Sequence, residues 1–204
     1  MKVLGICGSP RREGNTELLL DRALLGAKER GADVEKIVLS TLDIHPCRHC
    51  DGCAQTGLCV VQDDMQGMYE RFRKLDALIL SAPVFFMGPT AQTKAMMDRC
   101  QCLWVAKYVL NSPIVPEGIT RKSLLLSVGG STRPHLFRPL RTIVQAVFAT
   151  LDVAYGNERC FAGVDQKGTV REHPTALTQA YEAGAELAMG SPASPNENCP
   201  DATA

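Results

Sequence analysis

Short apolar runs alternate with longer amphipathic stretches along most of the chain. The apolar runs have the length of buried strands and predict five of them, at residues 3–7, 34–39, 77–81, 123–128 and, more weakly, 153–161. Apolar positions at helical spacing predict helices over residues 18–30, 63–75, 90–110, 137–151 and 176–189. Strands that alternate with helices predict a parallel sheet with helices on both faces.

The pattern is that of one domain. Residues 1–190 carry the alternation and are long enough to bury a full core. Residues 191–204 are rich in Ser, Pro, Asn and small side chains, so they are predicted to form a disordered tail. Within the domain, residues 44–62 form a compact segment, here called the cysteine segment, which follows the second predicted strand.

Charge and hydropathy argue against nucleic-acid and membrane partners. Lys plus Arg and Asp plus Glu both number 22, so the formal net charge is zero and gives no reason to expect an anionic partner. The apolar run at residues 3–7 is far too short for a signal peptide, and no stretch approaches the roughly 18 apolar residues of a membrane span. We therefore expect a cytoplasmic protein whose thiols stay reduced.

The cysteine segment places four thiols close together, at Cys47, Cys50, Cys53 and Cys59. Charged residues and Gly lie between them, so the segment is not a buried packing face. Soft thiolates that converge on one point bind iron–sulfur clusters or zinc. Three cysteines at such short spacing favour a cluster, because zinc ribbons usually separate two knuckles by roughly 15–20 residues. Zinc, and thiols that bind no metal, remain open alternatives.

The other cysteines are interpreted as packing residues. Cys7 lies on the first predicted strand, where a small core residue is expected. Cys100 and Cys102 are two apart in a predicted helix, so they should face different directions and not share a ligand. Cys160 is isolated, and Cys199 falls in the predicted tail.

The loop after the first strand has the chemistry of an anion site. Ser9, Asn15 and Thr16 bring polar side chains to the start of a helix, and Arg11 adds a positive charge. Gly14 allows a tight turn. The loop is neither a dinucleotide fingerprint nor a Walker loop, so a terminal monophosphate such as that of FMN fits it better. An ordinary polar turn with a helix cap is the alternative.

Two further loops are predicted at the same edge of the sheet, because parallel strands end there together. The loop after the third strand is apolar and rigid, with prolines at both ends, and suits a flat ring system. Its candidate residues are Pro83, Val84, Phe85, Phe86, Met87 and Gly88. The loop after the fourth strand contributes Gly129 and Gly130. Phe85 alone is better explained as a cap on the core, but three suitable loops together favour a ligand site.

These motifs resemble the NAD(P)H-dependent FMN reductase branch of the flavodoxin superfamily. The resemblance rests on Gly-Ser-Pro-Arg at 8–11 with Gly-Asn-Thr at 14–16, Asp-Asp-Met at 63–65, Ala-Pro-Val-Phe at 82–85, and Gln92, Lys94, Asp98 and Arg99. The cysteine run resembles the compact motif of the iron–sulfur flavoproteins in that branch. The resemblance implies an α/β, flavodoxin-like, doubly wound five-stranded parallel sheet of order 2-1-3-4-5, with the cysteine segment inserted after strand 2.

The resemblance also implies cofactors and their ligands. FMN would be held by its phosphate at Ser9, Arg11, Asn15 and Thr16, with its ring against residues 83–88 and near Gly129 and Gly130. The [4Fe–4S] ligands of the family would map onto Cys47, Cys50, Cys53 and Cys59. Members are usually homodimers or homotetramers, and the predicted helix 90–110 is the expected contact.

The expected function is that of a flavin-dependent oxidoreductase. It would pass electrons between a [4Fe–4S] cluster, FMN and a carrier such as a ferredoxin or NAD(P)H. The alternatives are a cluster-free NAD(P)H-dependent FMN or quinone reductase, a non-enzymatic electron carrier, and a zinc-binding module. No acid–base catalytic residue is predicted. Arg133, Arg138 and Arg141 follow the fourth-strand loop and are interpreted as a solvated helix face.

Overall fold

The computed structural model describes residues 1–116 and 118–189. Five parallel strands form one sheet in the order β2-β1-β3-β4-β5, which confirms the predicted flavodoxin-like topology. The strands are β1 Lys2–Cys7, β2 Asp33–Val38, β3 Ala77–Pro83, β4 Lys122–Gly129 and β5 Asn157–Ala162. The strand order reverses between β1 and β3, and in such sheets a ligand crevice forms at that point, beyond the carboxyl ends of the strands.

Helices cover both faces of this sheet. They are α1 Asn15–Glu29, α2 Met65–Lys74, α3 Ala91–Arg99, α4 Gln101–Trp104, α5 Arg138–Thr150 and α6 Ala176–Met189. A π-helical turn at Val105–Val109 continues α4, and short 3₁₀ turns lie at Leu39–Thr41 and Thr169–Arg171.

The predicted single helix over 90–110 is wrong in detail, because the structure divides it at Cys100. The Cys100 amide donates to the Met97 carbonyl at 3.0 Å and the Leu103 amide to the Cys100 carbonyl at 2.9 Å, which are the tighter bonds of a 3₁₀ turn. Beyond Trp104 the bonds widen, with the Leu110 amide on the Val105 carbonyl. Apolar spacing changes little across such a break, so periodicity could not reveal it.

Two cores lie on opposite faces of the sheet. The inner strands are buried on both sides, as their unbroken apolar runs require. One core packs against α2, α3 and α5 and includes Phe72 and Phe148. The other packs against α1 and α6, which approach so closely that a Cβ on Gly184 would lie 1.9 Å from the Ala23 carbonyl oxygen.

No helix in the described ranges has the length and hydrophobicity needed to cross a membrane. The predicted tail, with Cys199, lies outside the described residues.

Candidate functional site

A cleft opens at the carboxyl edge of the sheet, and is here called the flavin cleft. The predicted residues that line it are Ser9, Arg11, Gly14, Asn15, Thr16, Pro83, Val84, Phe85, Gly129 and Gly130. The three loops identified in the sequence therefore meet at one place.

The polar end of the cleft lies at the start of α1. The Ser9 hydroxyl accepts a hydrogen bond from the Arg11 amide at 3.0 Å, which shapes the turn. The Thr16 hydroxyl is buried, and its neighbour of suitable chemistry among the described residues is the Cys7 thiol, a weak hydrogen-bonding group that does not meet strict geometry. Buried polar groups rarely stay unpaired. A phosphate oxygen at this helix N-terminus would satisfy the hydroxyl, so the residues fit FMN.

Asn15 has a different task from the one expected of its side chain. Its Oδ1 accepts hydrogen bonds from the Gly168 amide at 2.8 Å and the Val170 amide at 3.2 Å. Its Nδ2 donates to the Gln166 carbonyl at 2.8 Å. The side chain thus holds the loop after β5 in place, which leaves one Nδ2 hydrogen and the backbone of Asn15 for a ligand.

Sequence reasoning missed the loop after β5, which brings Val164, Asp165 and Lys167 to the same cleft. Arg11 donates to the Asp165 carbonyl at 3.1 Å, so the first and last loops are joined across the opening. The predicted topology could have identified this loop, because β5 also ends at the carboxyl edge of the sheet. Its short polar loop carries no recognisable motif, so the sequence drew no attention to it.

The loop after β3 ends in a tight turn that reaches into solvent. Phe85 and Gly88 exchange backbone hydrogen bonds of 2.9 Å, and Phe86 and Met87 between them have φ of 46° and 68°. Two central residues with positive φ are typical of a type I′ turn, which prefers Asn and Gly. Phe86 is fully exposed. Phe86, Met87 and Gly88 therefore do not line the cleft here, whereas Phe85 does.

The four thiols of the cysteine segment line a second cavity, here called the cysteine cavity. Burial raises the pKa of Cys53, and the nearby thiols of Cys59, Cys47 and Cys50 also act to raise it. No three Cys, His, Asp or Glu side chains in the described ranges converge closely enough to hold a metal ion. Four thiols around one cavity are suitable ligands for a thiolate-bound metal centre. In the described residues their sulfur atoms lie too far apart to bind one metal ion.

A fifth thiol, that of Cys102, lines the same cavity. Cys102 is buried, and burial raises its pKa, with Cys59 and Cys53 among the groups that act on it. Cys100 faces a separate groove beside Cys47 and His49, so the two helical cysteines do point in different directions. Cys102 is a buried core residue, as interpreted from the sequence, and it also borders the cysteine segment, which helix periodicity cannot show.

The cysteine cavity and the flavin cleft share no lining residue. The cysteine segment leaves the sheet after β2 but packs beside Arg99, Gln101 and Val105. The thiols and the flavin loops therefore line two separate cavities.

Arg99 and Arg141 each pair with a buried carboxylate. Arg99 and Asp63 are each 1% exposed and are joined by two contacts, Nη1 to Oδ2 at 2.5 Å and Nη2 to Oδ1 at 3.0 Å. Arg141 on α5 meets the buried Glu158 of β5 at 2.8 Å. The interpretation of Arg141 as part of a solvated face is wrong, because a carboxylate on the following strand, 17 residues away, cannot be seen from the helix pattern.

The sequence model of the NADPH-dependent FMN reductase family matches residues 1–162. The chain belongs to this family. An iron–sulfur flavoprotein of Methanosarcina thermophila is 32% identical over 164 residues, 80% of this chain and 82% of that protein. A second, from Methanocaldococcus jannaschii, is 40% identical over 111 residues, which cover 54% of this chain and 58% of that protein.

Solved structures support the same fold. The NAD(P)H:quinone oxidoreductase from Methanothermobacter marburgensis superposes with a TM-score of 0.70 at 20% identity, over 92% of this chain and 96% of that one. This FMN reductase family member is therefore a flavin-dependent oxidoreductase of flavodoxin-like fold.

Proposed function

We propose that this FMN reductase family member passes electrons between a [4Fe–4S] centre held by Cys47, Cys50, Cys53 and Cys59, an FMN in the flavin cleft, and a carrier such as a ferredoxin or NAD(P)H. The observation that carries the proposal is the collection of all four thiols around one cavity, beside a fold with a separate flavin cleft. When bound, FMN supplies both hydride and single-electron chemistry, and the cluster supplies single-electron transfer.

Each loop of the flavin cleft has a task in this proposal. The start of α1, the Thr16 hydroxyl and the Arg11 guanidinium bind the phosphate. Pro83, Val84 and Phe85 give one side of the ring an apolar wall, and Gly129 and Gly130 let the β4 loop approach the other. Contacts from Phe86, Met87 and Gly88 to the ring stay a prediction.

A cluster-free NAD(P)H-dependent FMN or quinone reductase is the second candidate. It is favoured by the open arrangement of the thiols, which have not converged on a metal position in the described ranges. The density of thiols around one cavity supports the cluster instead, since four thiolates are its usual ligands. Zinc would use the same ligands but would carry no electrons.

Partners and location are part of the same proposal. We expect a homodimer or homotetramer, in which the exposed apolar side chains Trp104, Tyr108 and Val109 contact a second subunit. A cytoplasmic location would keep the four thiols reduced, as cluster ligation requires.

The first experiment is anaerobic purification of the full chain, followed by iron, sulfide and flavin analysis. The proposal expects bound FMN and about four iron atoms per chain. Cys50→Ala should lose the iron, whereas Cys160→Ala, which changes a buried thiol that lines neither cavity, should keep it. Flavin without iron after anaerobic reconstitution would leave the cluster-free reductase, and zinc without flavin would overturn both.

A further inference from the structure

One guanidinium joins the two ends of the cysteine segment. Arg99 donates from Nη1 to the His45 carbonyl at 2.8 Å and from Nη2 to the Val61 carbonyl at 3.3 Å. His45 lies two residues before Cys47, and Val61 lies two residues after Cys59. The thirteen residues that carry the four thiols therefore begin and end at the same side chain.

Asp63 holds this guanidinium in position. Its carboxylate binds both Nη atoms of Arg99 and also accepts the His45 amide at 3.0 Å and the Met65 amide at 3.1 Å. Because these four hydrogen bonds satisfy most lone pairs of the Asp63 carboxylate, the ion pair can be stable although it is buried. The entry of the cysteine segment, its exit and the start of α2 are thus fixed to one another.

The third nitrogen of the same side chain is unused. Arg99 Nε is buried and has no hydrogen-bond partner among the described residues. The Arg99 side chain also lines the cysteine cavity together with all four thiols. A buried N–H without an acceptor is costly, and sulfur bound to a metal centre in this cavity would provide one.

Arg99 stays charged in this setting. A guanidinium keeps its proton even when it is buried, and the Asp63 carboxylate balances its charge here. The cavity therefore has a permanent positive charge in its wall.

We infer that Arg99 is a positioning residue for the proposed metal centre: it closes the cysteine segment at both ends and directs a charged N–H donor at the thiol ligands. The inference rests on the proposed function for the identity of that centre. A fixed positive charge and an N–H donor to sulfur both favour the more negative, reduced form of a thiolate-ligated cluster. Arg99 therefore raises the reduction potential of the centre and makes it easier to reduce.

The closure is tested on the full-length, chelator-treated protein by limited trypsin digestion. Arg48 lies exposed inside the segment and provides a cleavage site whose use depends on local opening. Arg99→Gln should raise the rate of cleavage after Arg48 at least tenfold. Arg99→Lys keeps the charge but not the forked geometry, so its cleavage rate should lie between those of the wild type and Arg99→Gln. Arg73→Gln is the control, because Arg73 pairs with Glu70 on the surface of α2, and it should match the wild type.

The tuning is tested on reconstituted protein by a redox titration of the cluster followed by visible absorbance and electron paramagnetic resonance. Arg99→Gln should lower the reduction equilibrium constant at least tenfold, which is about 59 mV for a one-electron couple. Arg99→Lys should shift it less, and Arg73→Gln should leave it unchanged. A purely structural role would alter iron content without this graded order of potentials.

The outcomes separate the inference from the proposed function. Cleavage and potential equal to wild type in Arg99→Gln, with iron bound in both proteins, would overturn the inference and leave the proposed function standing. Wild-type protein that binds flavin but never iron would overturn the metal centre, while the digestion still tests the closure. If Arg99→Gln protein is digested at every site, it has unfolded, and Arg99→Lys then provides the test. Faster cleavage after Arg48 in Arg99→Lys than in the wild type and Arg73→Gln supports the inference, and equal cleavage in all three overturns it.

Discussion

The Thr16 hydroxyl and the Asn15 amide show how differently two neighbouring polar residues of one loop are used. Both were predicted to meet a phosphate. The Asn15 side chain instead has three partners in the loop after β5, and the Thr16 hydroxyl has none of hydrogen-bond geometry. Residue type and position in the sequence predicted which loops line the flavin cleft. They could not assign individual hydrogen bonds, because the partners of Asn15 lie about 150 residues away.

Thr16→Val tests the unpaired hydroxyl. The substitution keeps the shape and removes a buried hydroxyl whose neighbour, the Cys7 thiol, is only a weak hydrogen-bonding group, so the flavin-free protein should be about as stable as the wild type. A charge-assisted hydrogen bond to phosphate would be lost, and FMN affinity should fall about tenfold or more. Fluorescence titration with FMN and thermal unfolding measure the two effects. Thr142→Val, at an exposed position on α5, is the control and should change neither FMN affinity nor thermal stability. Unchanged FMN affinity in Thr16→Val would mean that the phosphate binds elsewhere.

Asp63→Asn tests the buried ion pair at neutral pH. The variant leaves Arg99 buried without its counter-charge, so the free energy of unfolding should fall by about 3–5 kcal/mol. Glu70→Gln, which breaks an exposed pair, should cost about 1 kcal/mol or less. Denaturant unfolding of the metal-free protein makes the comparison, and equal losses in the two variants would contradict the role assigned to burial.

The same pair gives stability a definite pH dependence. Burial acts to raise the pKa of Asp63, but hydrogen bonds from Arg99, His45 and Met65 outweigh it and hold the pKa below its usual value. A carboxyl whose pKa is lowered on folding stabilises the fold above its unfolded pKa, about 3.9, and this contribution is lost as pH falls through the folded value. The stability gap between wild type and Asp63→Asn should therefore be constant from pH 7 to about 5 and shrink in more acidic solution.

Among the elements, the strands and most helices follow from hydrophobic periodicity, and the departures have local causes. The break after α3 arises from hydrogen-bond spacing at Cys100, to which apolar spacing is insensitive. The side-chain packing that brings Cys102 to the cysteine cavity is a tertiary effect. Close helix contact is likewise invisible to periodicity, although Gly26 and Gly184 in the two facing helices permit it.

Gly184→Ala should push α1 and α6 apart. The new Cβ would lie 1.9 Å from the backbone oxygen of Ala23, which cannot move alone, so overpacking should cost about 1–3 kcal/mol or more. Gly67→Ala in α2 is the matched control, because its Cβ would meet only the flexible end of Arg71 at 3.0 Å. That control should gain about 0.5–1 kcal/mol from helix propensity. Thermal unfolding compares the two, and a stabilised Gly184→Ala would show that the helices separate freely.

The turn after β3 offers a second test at this scale. Replacing Phe86 and Met87 together by Asn and Gly supplies the residues that a type I′ turn prefers and should raise stability by about 1 kcal/mol. Neither native side chain lines the flavin cleft, so FMN affinity should change less than about threefold, well under 1.4 kcal/mol. A larger loss of affinity would mean that the bound ring extends over the turn, as predicted from the sequence.

For the whole molecule, the topology places four loops around one cleft at the carboxyl edge, and their order along the chain keeps them far apart in sequence. Arg11 and Asp165 meet across the opening although 154 residues separate them. A ligand that bridges these loops joins the first and last parts of the sheet. Binding should therefore be visible as global stabilisation and not only as ordering of a loop.

FMN at a hundred times its dissociation constant should stabilise the protein by about 2.7 kcal/mol. For a chain of this size that corresponds to a rise in Tm of about 5–10 °C. Differential scanning calorimetry with and without FMN measures it, with riboflavin, which lacks the phosphate, as the matched control ligand. An equal rise with both ligands would show that the polar end of the cleft contributes little to binding.

The joined ends of the cysteine segment have an evolutionary consequence. Besides the contacts of Arg99, the Asp64 amide donates to the Asp43 carbonyl at 3.1 Å and the Asp43 amide to the Asp64 carboxylate at 2.8 Å. When the two ends of an insertion are bonded to each other, its length and sequence can change with little effect on the sheet. The cysteine segment can therefore vary independently of the rest of the domain, so that related proteins can gain or lose its thiols and keep the flavodoxin-like fold.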